Sequence, residues 1–186
     1  MNLVDNILPR DGHVCYSSNV FIRPWAKYQG IMDSARFEPA VLQSKNGPVH
    51  LNYQTASIGN LPGLQSFNSI DYLLDMSNYL EDAIHSLTPF NHISINKYNT
   101  GSNSRRLLPY KIEELVENSV IAVVYLGTNR KVIFQHKSAK DYVQRSVFNN
   151  SVHVIKHGNN WRHFIPKANT ATDVLLEIVF TTRRTA

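Results

Sequence analysis

The second half of the chain does most to restrict the fold. From residue 92 onward, short runs rich in valine, isoleucine and aromatic residues recur at 92–98 (HISINKY), 120–126 (VIAVVYL), 131–136 (KVIFQH), 152–156 (VHVIK) and 174–180 (VLLEIVF), with Gly, Asn and Asp between them. β-branched and aromatic side chains suit a pleated, half-buried surface, and the residues between the runs tolerate turn geometry. These runs predict strands. Ahead of them Leu73, Met76, Leu80, Ala83, Ile84 and Leu87 repeat at helical spacing. That pattern predicts a helix over about 69–87, with Ser69 as its cap and Thr88-Pro89 as its stop. Residues 47–68, rich in turn formers, are expected to be irregular. A helix followed by many strands predicts an α+β chain with an antiparallel sandwich or jelly roll at its core.

A length of 186 residues suits one domain with a real hydrophobic core. The expected division is an N-terminal extension and helix over 1–90 and a strand-built core over 91–186, within a single domain 1–186. No apolar run approaches the roughly 18–20 residues needed to cross a membrane. The opening MNLVDNILPRDGH mixes acidic with apolar residues, unlike a signal peptide. The one cysteine, Cys15, excludes an internal disulfide and fits a reducing compartment. An intracellular setting, cytoplasmic or nuclear, is therefore expected rather than secretion.

Charge is unevenly distributed. Residues 1–93 carry a net −3 and residues 94–186 a net +8, together the +5 of the whole chain. A basic half raises the local concentration of phosphate polyanions, an effect that weakens with salt. A lysine-rich solvated surface would have the same composition.

Four segments share a common resemblance. FNHISINKYNTGSN (90–103) is similar to the AlkB signature of "FN", a hydrophobic stretch, "N-x-Y" and a glycine turn. ENSVIAVVYLGTNRKVIFQHK (117–137) resembles the family's "G-S-P-I-A-S-x-S-L-G-x-x-R-x-F" segment. VHVIKHGNNWRHFIPK (152–167) resembles the segment ending in "W-x-H-x-(I/V)-P", and LEIVFTTR (176–183) lies where the family closes with "R-x-N-L-T-F-R". The order and spacing of the four blocks match as well. The resemblance to AlkB-like Fe(II)/2-oxoglutarate-dependent dioxygenases implies a double-stranded β-helix, or jelly roll, with N-terminal flanking helix or helices.

The resemblance also implies a chemistry. These enzymes hold Fe(II) with two histidines and one carboxylate, leaving positions for 2-oxoglutarate and dioxygen. The second histidine of that set is matched by His163, in Trp161-Arg162-His163. The "H-x-D" that supplies the other two ligands has no counterpart, since no histidine occurs between His92 and His136. One alignment puts Leu108-Pro109-Tyr110 on this motif. A one-gap alternative puts Lys111-Ile112-Glu113 there and retains Glu113 as the carboxylate. Asn96 and Tyr98 match the "N-x-Y" pair that reaches 2-oxoglutarate. The closing arginines, which would grip its carboxylates bidentately, align with Leu175 or a neighbour and with Thr181, and Arg183 lies two residues beyond. The expected cofactor state is therefore none, or Fe(II) and 2-oxoglutarate if activity survives. Zinc bound by His153, His157 and His163 is a further option without a familiar spacing.

In the implied fold Arg105, Arg106, Lys111, Arg130, Lys131, Arg162 and Lys167 gather around the mouth of the β-helix. Arg105, Arg106, Arg130, Lys131 and Arg162 are the candidate contacts to single-stranded RNA or DNA. Tyr53 and Trp25 are candidate stacking partners for a base. Three functions remain open: a degenerate AlkB-like domain that binds nucleic acid, an active demethylase of alkylated bases, and a structural or partner-binding domain. No membrane partner is expected.

Overall fold

The computed structural model describes residues 1, 3, 6–8, 12–59, 64–66, 69–105, 114–138, 140–156, 161–169 and 173–184. Among these described residues ten strands and two helices follow the order β1 (Val14–Ser18), α1 (Pro24–Ser34), β2 (Glu38–Ser44), β3 (Gly47–Gly59), α2 (Asp71–Ile84), β4 (His92–Tyr98), β5 (Val120–Gly127), β6 (Arg130–His136), β7 (Tyr142–Val147), β8 (Ser151–Lys156), β9 (Trp161–Phe164) and β10 (Leu175–Thr181). One sheet has the order β1-β8-β5-β10-β4-β3-β2 and the other β7-β6-β9. Every strand pairing within them is antiparallel. This is the expected α+β jelly roll, a double-stranded β-helix with helices at its N-terminal side.

Strand alternation divides the core into two layers. Outward-facing residues of the large sheet, among them Ile58, Ile93, Val124 and Ile178, pack beneath Ile31 of α1 and Leu73, Met76 and Leu80 of α2. Inward-facing residues such as Tyr98, Val123, Tyr125 and Val179 meet Val132, Phe134, Val147 and Trp161 of the small sheet. The helices thus cover one face of the large sheet, and the small sheet covers the other. Among the described residues no helix is long and apolar enough to cross a membrane.

Three sequence expectations change. Residues 47–59, expected to be irregular, form the long strand β3, paired with β2 on one side and β4 on the other. Its turn formers terminate the strand rather than dissolve it. Gly47 takes φ +105° in the β2–β3 turn, where the Ser44 hydroxyl donates to its carbonyl. Residues 1–90 therefore supply three strands of the large sheet as well as helices. Finally, α2 is shorter than predicted. Ser69 caps nothing in the helix, since its hydroxyl donates to Ser66 O, and Ile70 occupies the N-cap in an extended conformation. At the other end His85 turns left-handed at φ 50°. The Ser86 amide then reaches back to Glu81 O, closing the helix well before Pro89.

Candidate functional site

One rung of the large sheet organises the interior. Register places Thr55 opposite Asn96, Asn96 opposite Glu177, Glu177 opposite Tyr125, and Tyr125 opposite Ser151. All of them are odd or even members of their strands that face the small sheet rather than the helices. Glu177 sits at the middle of this rung, and its side chain is completely buried.

Four groups hold its carboxylate. Asn96 Nδ2 donates to Oε2 at 2.8 Å, and Tyr98 Oη donates to the same oxygen at 2.9 Å. Arg105 Nη1 forms an ion pair with Oε2, also at 2.9 Å. From the small sheet, His163 Nε2 lies 2.9 Å from Oε1. A carboxylate offers about four lone-pair sites, so these contacts leave Glu177 little spare capacity as a base, nucleophile or metal ligand.

The electrostatics agree with the geometry. Burial by itself would raise the Glu177 pKa, but the Arg105 charge and the hydrogen bonds from His163 and Asn96 outweigh it and hold the carboxyl well below its usual range. Burial pushes His163 the other way, below its ordinary value, despite the hydrogen bond to Glu177. The consistent state is an Arg105 cation, a Glu177 anion and a neutral His163 donating from Nε2. The same carboxylate pushes Tyr98 upward, after burial, so its phenol stays protonated and donates.

Arg105 reaches this interior from a loop that is itself firmly held. Its own amide donates to Ile165 O at 3.1 Å. Arg130 Nη1 donates to Thr100 O at 3.2 Å, and its Nη2 to Asn103 O and Pro166 O at 2.8 Å each. Asn52 on β3 accepts from the Ser104 amide through Oδ1 at 3.1 Å. Beside the network a cavity of about 370 Å³ opens between β3, β4 and β10, lined by Tyr53, Thr55, Asn96, Arg105 and Arg183 among others.

The expected site residues therefore separate into groups. Asn96, Tyr98 and His163 do converge, as the resemblance implied, but on Glu177. That residue was not singled out as a site residue, although the charge it places in the hydrophobic run LEIVF was its visible signal. Arg105 and Arg130, expected at a nucleic-acid contact surface, point inward. Each is nearly inaccessible to solvent, because a carboxylate holds one guanidinium and three carbonyls hold the other. Arg183 is engaged by Glu114 at 3.4 Å, and its amide donates to Asn91 Oδ1 at 2.7 Å. Lys131 is exposed and Arg162 half-buried. Glu113, Arg106, Lys111 and His157 lie outside the described residues. Tyr53 is buried against Tyr98, with ring centroids 5.2 Å apart. Trp25 is 65% exposed and stacks on Tyr28.

His153 is a second buried imidazole, packed between Tyr16, Tyr125 and Phe134. Its burial, aided by the nearby His163 and Arg145, lowers its pKa to about 3, so it is a neutral core residue. Among the described residues no three His, Cys, Asp or Glu side chains converge as a metal site would require.

Among the described residues the donors do not fit the Fe(II) and 2-oxoglutarate of the implied chemistry. His163 and Glu177 are spent on each other, and Asn96 and Tyr98 donate to a carboxylate belonging to the chain itself.

Solved structures share this architecture. A 2OG-Fe(II) oxygenase family oxidoreductase from Burkholderia pseudomallei superposes with a TM-score of 0.62 at 11% identity, covering 95% of this chain and 87% of that one. A prolyl hydroxylase from Trichoplax adhaerens, solved with a hypoxia inducible factor peptide, gives 0.64 at 12% identity over 91% and 83%. The AlkB homologue OsALKBH1 gives 0.63 at 13% identity over 94% of this chain and 100% of that one. These likenesses bear out, at the level of the fold, the resemblance carried by the four sequence motifs. No family profile matches the chain, and neither does any curated protein sequence.

Proposed function

We propose that this chain is a catalytically degenerate AlkB-like domain that binds single-stranded nucleic acid. The observation that carries the degenerate part is the saturated Glu177 carboxylate. The groups that would grip iron and 2-oxoglutarate instead hold an internal anion in a buried, well-matched network. Undoing that network to admit a co-substrate would expose a buried charge to loss of its partners, a cost of several kcal/mol. The basic composition of residues 120–168, with eight Lys/Arg against the single acid Asp141, supports a polyanionic partner.

A thermal-melt titration tests the first part. Mn(II) serves as an oxygen-inert stand-in for Fe(II), with and without 2-oxoglutarate. A ligand that binds only the folded state stabilises it by about 2.7 kcal/mol at a hundredfold excess over Kd. No shift is expected with either ligand. A joint shift that disappears in His163→Ala would overturn the degenerate reading in favour of an active demethylase, and iron-dependent succinate formation would then be the next assay. Absence of binding to single-stranded RNA and DNA at low salt would sink the nucleic-acid part and leave a partner-binding domain.

A further inference from the structure

The small sheet has two very different faces. Its inner face carries Val132, Phe134, Trp161 and His163 into the core. Its outer face follows from register. Tyr142, Gln135 and Arg162 form one rung across β7, β6 and β9, and Gln144, Ile133 and Phe164 form the next. Lys131 extends the same face one rung further along β6. The two helices lie on the far side of the large sheet, and no described helix or strand packs over this outer face.

We infer that this outer face is the platform for single-stranded nucleic acid, an inference that rests on the proposed function. Three properties point to that occupant. First, the surface is cationic: Lys131 stands exposed on it, Arg162 lies half-buried on it, Lys137 and Lys140 lie in the loop that joins β6 to β7, and the acid in this stretch is Asp141 alone. Second, it carries aromatic rings on its two edge strands. Tyr142 is 68% exposed, and Phe164 is half-buried on this face. Strands lie about 4.8 Å apart, so rings on the outer two strands each take a separate base. Third, Gln135 lies between Tyr142 and Arg162, and Ile133 lies between Gln144 and Phe164, so the two glutamines hydrogen-bond without adding charge. Cations that follow a backbone and rings that stack on unpaired bases form the usual design of a sequence-tolerant single-strand surface. A protein partner would be matched by charge alone only if it were acidic, and it would leave the stacking rings without a role.

Fluorescence anisotropy with a labelled oligouridylate tests this on the full chain. Tyr142→Ala with Phe164→Ala is expected to weaken binding roughly tenfold or more, in line with the loss of base stacking. Tyr142→Phe keeps a stacking ring and is expected to bind like the parent chain, which separates stacking from damage to the fold. Lys131→Gln with Arg162→Gln should reduce the slope of log affinity against log salt by about 1.4. A duplex of matching length should bind more weakly than the single strand. If the parent chain binds but the variants bind equally well, the platform is overturned while the proposed function stands. Preference for the duplex overturns the platform in the same way. If the parent chain itself does not bind, the proposed function fails and this inference fails with it.

Discussion

His163 Nε2 and Glu177 Oε1 lie 2.9 Å apart, joining β9 of the small sheet to β10 of the large one through the middle of the jelly roll. Both side chains are almost fully excluded from solvent. The contact makes Glu177 the point at which the two sheets share a polar core, with Arg105 as its countercharge. A functional pocket and a structural ion pair make different demands on such residues: the first needs an accessible group, the second a matched and buried one.

Removing Arg105 should be severely destabilising. Arg105→Met leaves the Glu177 carboxylate buried without its cation, which costs about 3–5 kcal/mol for a pair of this kind. Arg105→Met combined with Glu177→Leu removes both charges and should recover most of that loss. Urea unfolding of the two single variants and the double variant measures the coupling. A loss below about 1 kcal/mol in Arg105→Met would show that water reaches Glu177 freely.

The extent to which the sequence disclosed this arrangement depended on the locality of each signal. Strands β4, β5, β6, β8 and β10 were legible within a residue or so, because valine, isoleucine and aromatic runs carry their own β preference. Asn96, Tyr98 and His163 were legible because motif spacing preserves position on a strand face. Strand β3 was not, since much of its N-terminal half is exposed in the hairpin with β2 and lacks an apolar signature. The inward turn of Arg105 and Arg130 was also hidden. Their partners are Glu177, 72 residues away, and carbonyls of a loop placed by tertiary contacts. Charge counting treats such arginines as surface.

Tyr98 offers a gentler test of the same network. Tyr98→Phe removes the hydroxyl that donates to Glu177 at 2.9 Å and little else, because the ring stays packed on Tyr53. A hydrogen bond to a charged group contributes about 1.5–3 kcal/mol. Stability should fall by that amount in chemical unfolding, while Mn(II) and 2-oxoglutarate still leave the melting temperature unchanged. A variant as stable as the parent would mean that the phenol is replaceable by water.

Stability should fall as the pH drops below neutrality. Burial lowers His153 to about 3, and burial with the nearby Arg183 lowers His92 to about 4, from an ordinary 6.5. Between the folded and unfolded values the unfolded chain binds protons that the folded chain refuses, so acid favours unfolding. Each histidine contributes a slope of about 1.4 kcal/mol per pH unit once the pH is well below 6.5. His163 acts in the same sense, since it too is lowered. Glu177 joins below 4.5, because its depressed carboxyl keeps the folded chain deprotonated while the unfolded chain takes up a proton. Unfolding free energies across pH 7.5 to 5 measure the slope, and His153→Leu should flatten it by one proton. An unchanged slope in that variant would mean that His153 protonates in the folded chain.

Arg130 separates a buttress from a phosphate contact. Its guanidinium donates to Thr100 O, Asn103 O and Pro166 O, a fan that a planar fork can serve and a lysine ammonium cannot reproduce. Arg130→Lys keeps the charge but strands at least one part-buried carbonyl, at about 1 kcal/mol. The loop that carries Arg105 would then loosen, so stability should fall while the salt dependence of oligonucleotide binding stays as in the parent. A reduced affinity with unchanged stability would place Arg130 on the binding surface and return the nucleic-acid contact to the mouth of the jelly roll. The measured pair, unfolding free energy and salt slope on the same variant, leaves no overlap between those two roles.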